Sequence, residues 1–175
     1  MSRGAWLVVL VVVALGGGAW WWLRDHNRAS APAEPGTLAV TWKGRYRGAT
    51  VLPARLNWCP VNRTGVLEAI SGDTGVAVVV YEENALTRGP HAAVMPGVSS
   101  VLPRPGASVV MRWPRDSSAL LTFTSQSGLV ELRPSANLVT GTLTIRLRAT
   151  SGSDTLTLAG SFTDVPVTAM AVGCP

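Results

Sequence analysis

The sequence predicts an all-β extracytoplasmic domain, either an antiparallel sandwich or a barrel, preceded by one N-terminal transmembrane α-helix. Two observations support this prediction. The first 23 residues contain an uncharged apolar run, whereas the chain beyond residue 36 consists of short runs in which apolar and polar residues alternate. Apolar side chains at every second position are typical of strands with one buried face, and no stretch of helix length in this region shows a 3.6-residue period.

Composition restricts the class of protein before any motif is considered. Of the 175 residues, 47% are hydrophobic and 14% are charged, which excludes a disordered chain. Two cysteines are too few for a disulfide scaffold or a cysteine-based zinc module. The length fits one domain with an appendage. We therefore predict a membrane segment over residues 1–23, a linker over 24–36 and a β-sandwich domain over 37–175.

Residues 5–23 form the predicted membrane span, and none of them is charged. As a helix, this run would extend about 28 Å, close to the thickness of the hydrocarbon core. Tryptophans stand at both ends of the run, and indole rings favour the membrane interface. Three consecutive glycines would let another helix, a pigment or a lipid approach closely. The predicted interface residues are Trp6, Trp20, Trp21 and Trp22, and the predicted contact residues are Gly16, Gly17 and Gly18.

A cleavable signal peptide is the alternative interpretation of the same segment. Its apolar core would be Leu7–Leu15, and small residues at 17–19 or 29–31 would form the cleavage site. Pro32 follows the second of these sites and should obstruct cleavage there. We therefore favour a retained, single-pass anchor in the inner membrane.

The two cysteines predict the side of the membrane on which the domain lies. Charge does not, because Arg3 precedes the span whereas Arg24 and Arg28 follow it. Cys59 and Cys174 lie near the start and at the end of the domain, and each is followed by proline. We predict a disulfide between them, with two free buried thiols as the alternative. Because such bridges persist in oxidising compartments, the domain is placed in the periplasm.

Eight runs beyond the linker are predicted strands. They are Thr37–Lys43, Val66–Ile70, Val76–Tyr81, Ser108–Trp113, Leu120–Ser125, Leu129–Arg133, Thr142–Arg148 and Thr155–Phe162. In Thr142–Arg148, three aliphatic residues alternate with threonine and arginine, so the aliphatic ones should face inward. The second and third runs flank turn-forming residues at 71–75 and form a predicted hairpin. Val76–Val80 is continuously apolar, which predicts a strand covered on both faces.

Two polar, proline-rich stretches interrupt this pattern, Glu82–His91 and Pro96–Gly106. Long ordered loops on a β scaffold commonly carry binding. We therefore predict that they contact a partner, with ordinary connections as the alternative. The predicted contact residues are Arg88, His91, Pro103 and Arg104.

A basic patch is the second predicted surface of the domain. It consists of Lys43, Arg45, Arg47 and Arg55, which would attract anionic headgroups or an acidic partner. The other cations are interpreted as scattered along the strands. Nucleic acid is not an expected partner, because the sequence has no array of stacking aromatic residues and the compartment is wrong.

Motifs for catalysis and metal binding are sparse. His26 and His91 belong to no metal-ligand spacing, and neither a G-x-S-x-G motif nor a phosphate-binding glycine loop occurs. Asp73-Thr74-Gly75 matches the tripeptide of aspartic proteases, but Asp and Gly suit a hairpin turn equally well. Glu82-Glu83 is interpreted as solvated loop charge rather than a Ca²⁺ site. We expect no enzyme activity, no cofactor of its own and no small-molecule substrate, and proteolysis through Asp73 is the enzymatic alternative.

Several features of the chain belong together: the Trp20–Trp22 belt, the Arg-, Ala-, Val- and Gly-rich texture, and the closing segments Gly160–Phe162 and Cys174-Pro175. In plan and texture, the whole chain resembles the small membrane-anchored accessory subunits that hold a purple-type photosynthetic reaction centre within its light-harvesting ring. This resemblance implies a structural role, in which the helix and the domain bridge neighbouring subunits and contact pigments and membrane lipids. A stand-alone membrane-anchored periplasmic binding or sensing module is the alternative.

Overall fold

Nine strands make up the part of the chain that the computed structural model describes, residues 35–96, 103–116, 119–170 and 174. The strands are β1 Gly36–Gly44, β2 Gly48–Cys59, β3 Thr64–Ser71, β4 Thr74–Tyr81, β5 Gly89–Ala93, β6 Gly106–Asp116, β7 Ala119–Ser135, β8 Leu138–Ala149 and β9 Thr155–Ala169. The all-β prediction is confirmed for these residues. They include no helix that is long and apolar enough to cross a membrane. The predicted span, with Gly16–Gly18, Trp6 and Trp20–Trp22, lies outside them.

The strands are hydrogen-bonded into a closed barrel in the order β1-β2-β3-β4-β6-β5-β7-β8-β9. Closure occurs where β9 returns to β1, with Thr37–Gly44 paired antiparallel to Leu156–Thr163. The alternation in the sequence left sandwich and barrel open, because both architectures bury one face of each strand. The pairing of the last strand with the first one forms the barrel.

The barrel has two ends that are built differently. We call the end where the chain enters at Gly36 the entry end, and it also holds Cys59 and Gly106. We call the opposite end the far end, where β1 turns into β2 and β8 into β9. Four aromatic side chains fill the interior at the far end. Trp113 stacks on Phe123 with ring centroids 5.1 Å apart, Trp42 lies 5.5 Å from Trp113, and Tyr46 meets both Trp113 and Phe123 edge-on.

The inward positions of β8 show how alternation produces the core. Leu143, Ile145 and Leu147 are buried, as predicted, while the threonines and arginines between them are exposed. Burying one such aliphatic side chain contributes roughly 1.5 to 3 kcal/mol. Gly141 on the same strand makes room for Phe162 of β9, because a Cβ at this position would collide with the ring.

Two predictions about individual strands need correction. Val76–Val80 is not covered on both faces: Val76, Val78 and Val80 are buried, but the residues between them are half-buried on the outside of the barrel. A strand in a closed barrel has only one inner face. A continuous apolar run in such a strand therefore does not show that both of its faces are buried. Leu120–Ser125 and Leu129–Arg133 belong to one strand, β7, which is interrupted by a bulge between Ser125 and Ser127.

Strands β2 and β5 were not predicted. In β2, Pro53 and the polar residues after it hid the alternation of Leu52, Ala54 and Leu56, which are all buried. Proline normally argues against a paired strand, and here Pro53 lies exposed on the outer face. Strand β5 lies partly inside the stretch interpreted as a loop, because a five-residue strand with Gly and Pro at its start has almost no pattern.

Strand β5 is inserted where β6 and β7 separate. It runs parallel to β6 and antiparallel to β7, while farther along β6 and β7 pair directly. At the point of separation, the Ser125 hydroxyl accepts the N–H of Val109 at 3.0 Å and donates to the carbonyl of Val94. This buried hydroxyl replaces ladder bonds that neither strand can make here, so it fastens β5 into the barrel.

Candidate functional site

The entry end brings together parts of the two stretches that the sequence singled out; residues 97–102 of the second stretch lie outside the described residues. Glu82–Arg88 connects β4 to β5, and Pro103–Pro105 leads into β6. These segments meet because β4 and β5 both pair with the start of β6. Three of the predicted contact residues, Arg88, Pro103 and Arg104, are exposed at this end. The fourth, His91, is not.

A buried pair, Glu82 and His91, lies beneath this surface. The side chains are 2% and 1% exposed, and Glu82 Oε1 lies 2.8 Å from His91 Nε2. The other ring nitrogen of His91 lies 3.0 Å from the carbonyl oxygen of Gly89. Thr87 donates to the carboxylate from its backbone N–H at 2.8 Å and from its hydroxyl at 2.9 Å. Every polar atom of the pair therefore has a partner, as buried polar groups require.

Counting hydrogens in this cluster shows that the pair carries no net charge. Because a carbonyl oxygen can only accept, the His91 nitrogen facing Gly89 carries a hydrogen. One further hydrogen lies between Nε2 and Glu82, on either partner. Whichever partner holds it, the two side chains together are neutral, which is the arrangement that burial tolerates.

Two sequence predictions are corrected by this pair. Glu82 is not solvated loop charge, because residues 82–88 fold back and place its carboxylate against His91 and Thr87. His91 cannot offer its ring to a partner in this fold, because it points into the barrel from β5. Both errors have the same origin: each residue was judged as part of a loop, and the strand that buries them was not predicted.

Arg104 fastens three segments of the entry end. Its guanidinium donates to the backbone carbonyls of Asn62 and Arg63, at 3.3 and 3.5 Å, and to that of Glu82. The Arg63 carbonyl also accepts the backbone N–H of Glu82 at 2.9 Å, so the guanidinium adds to a backbone hydrogen bond that already joins these segments. Arg104, predicted to contact a partner, therefore directs its guanidinium toward the protein's own backbone.

The Cys59–Cys174 disulfide fastens the C-terminus to the same end, as predicted. The two Cα atoms lie 5.6 Å apart and the cysteines are 115 residues apart in the sequence. Next to the bridge, the backbone N–H of Met170 donates to the carbonyl of Trp58 at 2.8 Å. The end of β9 and the end of β2 are thus joined covalently and by hydrogen bonds.

The described surface of the entry end includes both an apolar side chain and a cation. Val61 is 79% exposed in the turn between β2 and β3, and Arg88 and Pro103 are exposed on the neighbouring segments. Sequence reasoning missed Val61, although an aliphatic residue in a polar turn is a recognisable signal. An apolar side chain beside a cation suits a protein contact better than bulk solvent.

The residues that could support other chemistry lie apart from one another. Among the described residues, no three or more His, Cys, Asp or Glu side chains are grouped so that they could hold a metal ion. Asp73 lies exposed in the two-residue turn between β3 and β4, and Thr74 and Gly75 begin β4. The Asp-Thr-Gly tripeptide is therefore part of a β-hairpin. Aspartic proteases need two carboxylates that share a proton, and this turn presents one.

Comparison with known proteins adds no assignment. No protein-family model, no curated protein and no solved structure matches this chain.

Proposed function

We propose that this chain is a non-catalytic accessory subunit of a bacterial membrane-protein complex. Residues 5–23 anchor it in the inner membrane, and the β domain lies in the periplasm, where it bridges neighbouring subunits. The observation that carries the proposal is the way in which the entry end is held together. The disulfide, the Glu82–His91 pair and Arg104 each join segments there, and Arg104 also binds the carbonyl of Glu82. A surface that is ordered before binding loses little entropy on docking.

The filled interior of the barrel supports the same proposal. Bulky side chains such as Phe123, Phe162 and Met111 are fully buried in it. Contacts with other molecules therefore fall on the outer surface and the ends, as suits a subunit that joins others. The alternative, a stand-alone binding or sensing module, would use a concave pocket with convergent polar groups.

A photosynthetic reaction centre–light-harvesting complex is the partner that the resemblance implies. In that setting, Gly16–Gly18 would let a helix or pigment approach the span, and Trp20–Trp22 would set its depth. Arg88 and Val61 would contact the periplasmic surface of a neighbouring subunit. The chain would contact pigments and lipids of the complex without a cofactor of its own.

Co-purification of the full chain from membranes tests the proposal. After solubilisation in mild detergent, we expect membrane subunits to remain bound in fixed stoichiometry. Replacing Gly17→Leu should reduce their retention because the added side chain blocks close approach. Val12→Leu, a conservative change in the same apolar run, is the matched control and should have no effect.

A second pair of variants tests the domain contact. Arg88→Glu reverses an exposed charge at the entry end, whereas Arg112→Glu reverses an exposed charge on β6 toward the far end, where Arg112 pairs with Gly75 of β4. We expect weaker retention for Arg88→Glu alone. A chain that elutes without any other membrane protein, or that retains them equally in all four variants, would contradict the proposal.

A further inference from the structure

The barrel places cations that lie far apart in the sequence close together on its outer surface. Lys43 of β1 and Arg146 of β8 flank Thr157 of β9, since Thr157 pairs with each of them. Arg148 follows on the same outer face of β8, and Arg47 lies in the turn beyond Lys43. We call these four exposed residues, Lys43, Arg47, Arg146 and Arg148, the basic rows. The sequence had predicted that the arginines of β8 were scattered, which the topology corrects.

The membership of this patch also differs from the sequence prediction. Arg55 was predicted to belong to it, but this residue lies on β2 opposite Glu68 of β3. Arg45 lies at the far end near the patch, but it donates to both carboxylate oxygens of Asp154 at 3.2 Å. That hydrogen bond, with the attraction of the charge, raises the pKa of the Arg45 guanidinium above its ordinary value.

The acid in the turn between β8 and β9, Asp154, precedes the strand partner of Arg148, but it is ion-paired with Arg45 rather than with any of the four cations of the basic rows. Within the described residues, none of them has an ion pair. Strands β1 and β8 contain no Asp or Glu, and the single acid of β9, Asp164, lies toward the entry end. Like charges held on one face of the barrel repel one another, here across the intervening strand β9, so an acidic partner would relieve this repulsion.

A shallow groove continues from the basic rows along β1. Its floor and walls consist of small side chains, apart from Val51, which is 65% exposed. The outward side chains that line it are Ala39, Thr41, Ala49, Val51, Ala159 and Ser161. The groove is uncharged, and Lys43 follows Thr41 on the same face of β1. An apolar trough therefore leads directly into a cluster of cations.

We propose that this surface docks an acidic, amphipathic segment of a partner protein. The apolar residues of the segment would lie in the groove, and its carboxylates would meet the basic rows, where arginine can form two parallel hydrogen bonds with a carboxylate. The inference rests on the proposed accessory role and defines the chemistry of one of its partners.

The shape of the surface favours a protein segment over a lipid membrane. A membrane is contacted best by side chains that protrude, above all aromatic ones beside the cations. Here the neighbouring surface is recessed, and the nearby aromatic residues, Trp42, Tyr46 and Trp113, are turned toward the interior. A recess of small side chains accommodates side chains from a partner.

Binding of a polarised peptide to the full chain in detergent tests the inference. The probe is a synthetic ten-residue peptide whose first half alternates Ala and Val and whose second half alternates Asp and Glu. We expect saturable binding that weakens with salt, because the charges are exposed. The double variant Lys43→Glu/Arg146→Glu should weaken binding by about ten-fold or more, since two attractions become repulsions.

Three controls test whether such binding depends on the basic rows, on the acidic residues of the peptide and on the groove. Arg133→Glu, an exposed reversal elsewhere on the barrel, should leave peptide affinity unchanged. A peptide with Asn and Gln in place of the acids should bind about ten-fold more weakly or not at all. Ala39→Leu, which fills the groove, should weaken the polarised peptide more than a peptide of Asp and Glu alone. Formation of the Cys59–Cys174 bridge in every variant checks that each has folded.

Several results would overturn the inference. One is equal affinity of the wild type and the double variant for the peptide. Another is binding of phosphatidylglycerol vesicles through the same cations, with no binding of the peptide, which would assign the surface to lipid. If Gly17→Leu and Arg88→Glu release the membrane subunits but the peptide does not bind, the proposed function stands and this inference fails. If the peptide binds and no subunit co-purifies, the accessory role fails instead.

Discussion

At the scale of single residues, the buried Glu82–His91 pair is the most sensitive point of the domain. Removing one member of a buried pair leaves the polar atoms of the other without their partner. We expect His91→Ala to lower the free energy of unfolding by about 3 kcal/mol. Urea denaturation of the full chain in detergent, followed by tryptophan fluorescence, measures this change.

A double-mutant cycle separates the pair from the packing of the ring. Glu82→Gln keeps an oxygen that can accept from Thr87, so its effect should be smaller than that of His91→Ala. In the double variant, the loss should be less than the sum of the two single losses by about 1 kcal/mol or more, because each single variant already breaks the same contact. Strictly additive losses would mean that the contact between Glu82 and His91 contributes nothing.

Gly141 is a second such residue, because the neighbouring atoms leave no room for a side chain at this position. A Cβ at this position would collide with the ring of Phe162 and with the carbonyl oxygen of Glu131. We expect Gly141→Ala to lower the free energy of unfolding by about 2 kcal/mol through overpacking. Gly75→Ala is the matched control, because its Cβ would meet Ile70 at 3.2 Å, an exposed side chain that can move. Equal stability of the two variants would show that the barrel relaxes around position 141.

At the scale of the elements, β5 depends on the junction at Ser125. Ser125→Ala would leave the N–H of Val109 and the carbonyl of Val94 without their partner. An unsatisfied buried group costs about 1 to 3 kcal/mol, and the effect should be local to β5. We expect Ser125→Ala to accelerate hydrogen exchange, measured by mass spectrometry, more in Gly89–Ala93 than in β8. Uniform acceleration over all strands would argue against a separate role for this junction.

At the scale of the whole molecule, the Cys59–Cys174 bridge constrains the chain between two residues that are 115 positions apart. Closing so long a loop limits the unfolded chain and stabilises the fold by about 4 to 5 kcal/mol in the chain-entropy model. We expect Cys59→Ala/Cys174→Ala to lower the denaturation midpoint strongly while the strand content of the folded state persists. An unchanged midpoint would place the stabilisation elsewhere in the barrel.

The two ends of the barrel are held together by different contacts. The far end is filled by aromatic rings, and the basic rows lie toward it; the entry end is fastened by the disulfide, Arg104 and the buried pair. A closed barrel holds both ends in a fixed relation, because its strands other than the short β5 run from one end to the other. Partners bound at the two ends would therefore be kept at a set distance, as a bridging subunit requires.

Local pattern was sufficient for the all-β class of the described domain, the inward face of most strands and the disulfide, but not for the choice between sandwich and barrel. The alternation around Leu143, Ile145 and Leu147 reports burial directly, because side chains on a strand point to opposite faces in turn. The pairing of Cys59 with Cys174 followed from there being only two cysteines. The β3–β4 hairpin likewise depends on residues that are adjacent in the chain.

Tertiary structure alone decided which residues meet across the barrel. His91 and Glu82 were interpreted as loop residues because β5 has no periodic signal, and only pairing with β6 and β7 buries it. Lys43 and Arg146 are about a hundred residues apart in the printed sequence, and they flank Thr157 only because β9 lies between β1 and β8. Periodicity reports the face on which a side chain lies, whereas strand order and register, which depend on the packing of the whole chain, determine its neighbours.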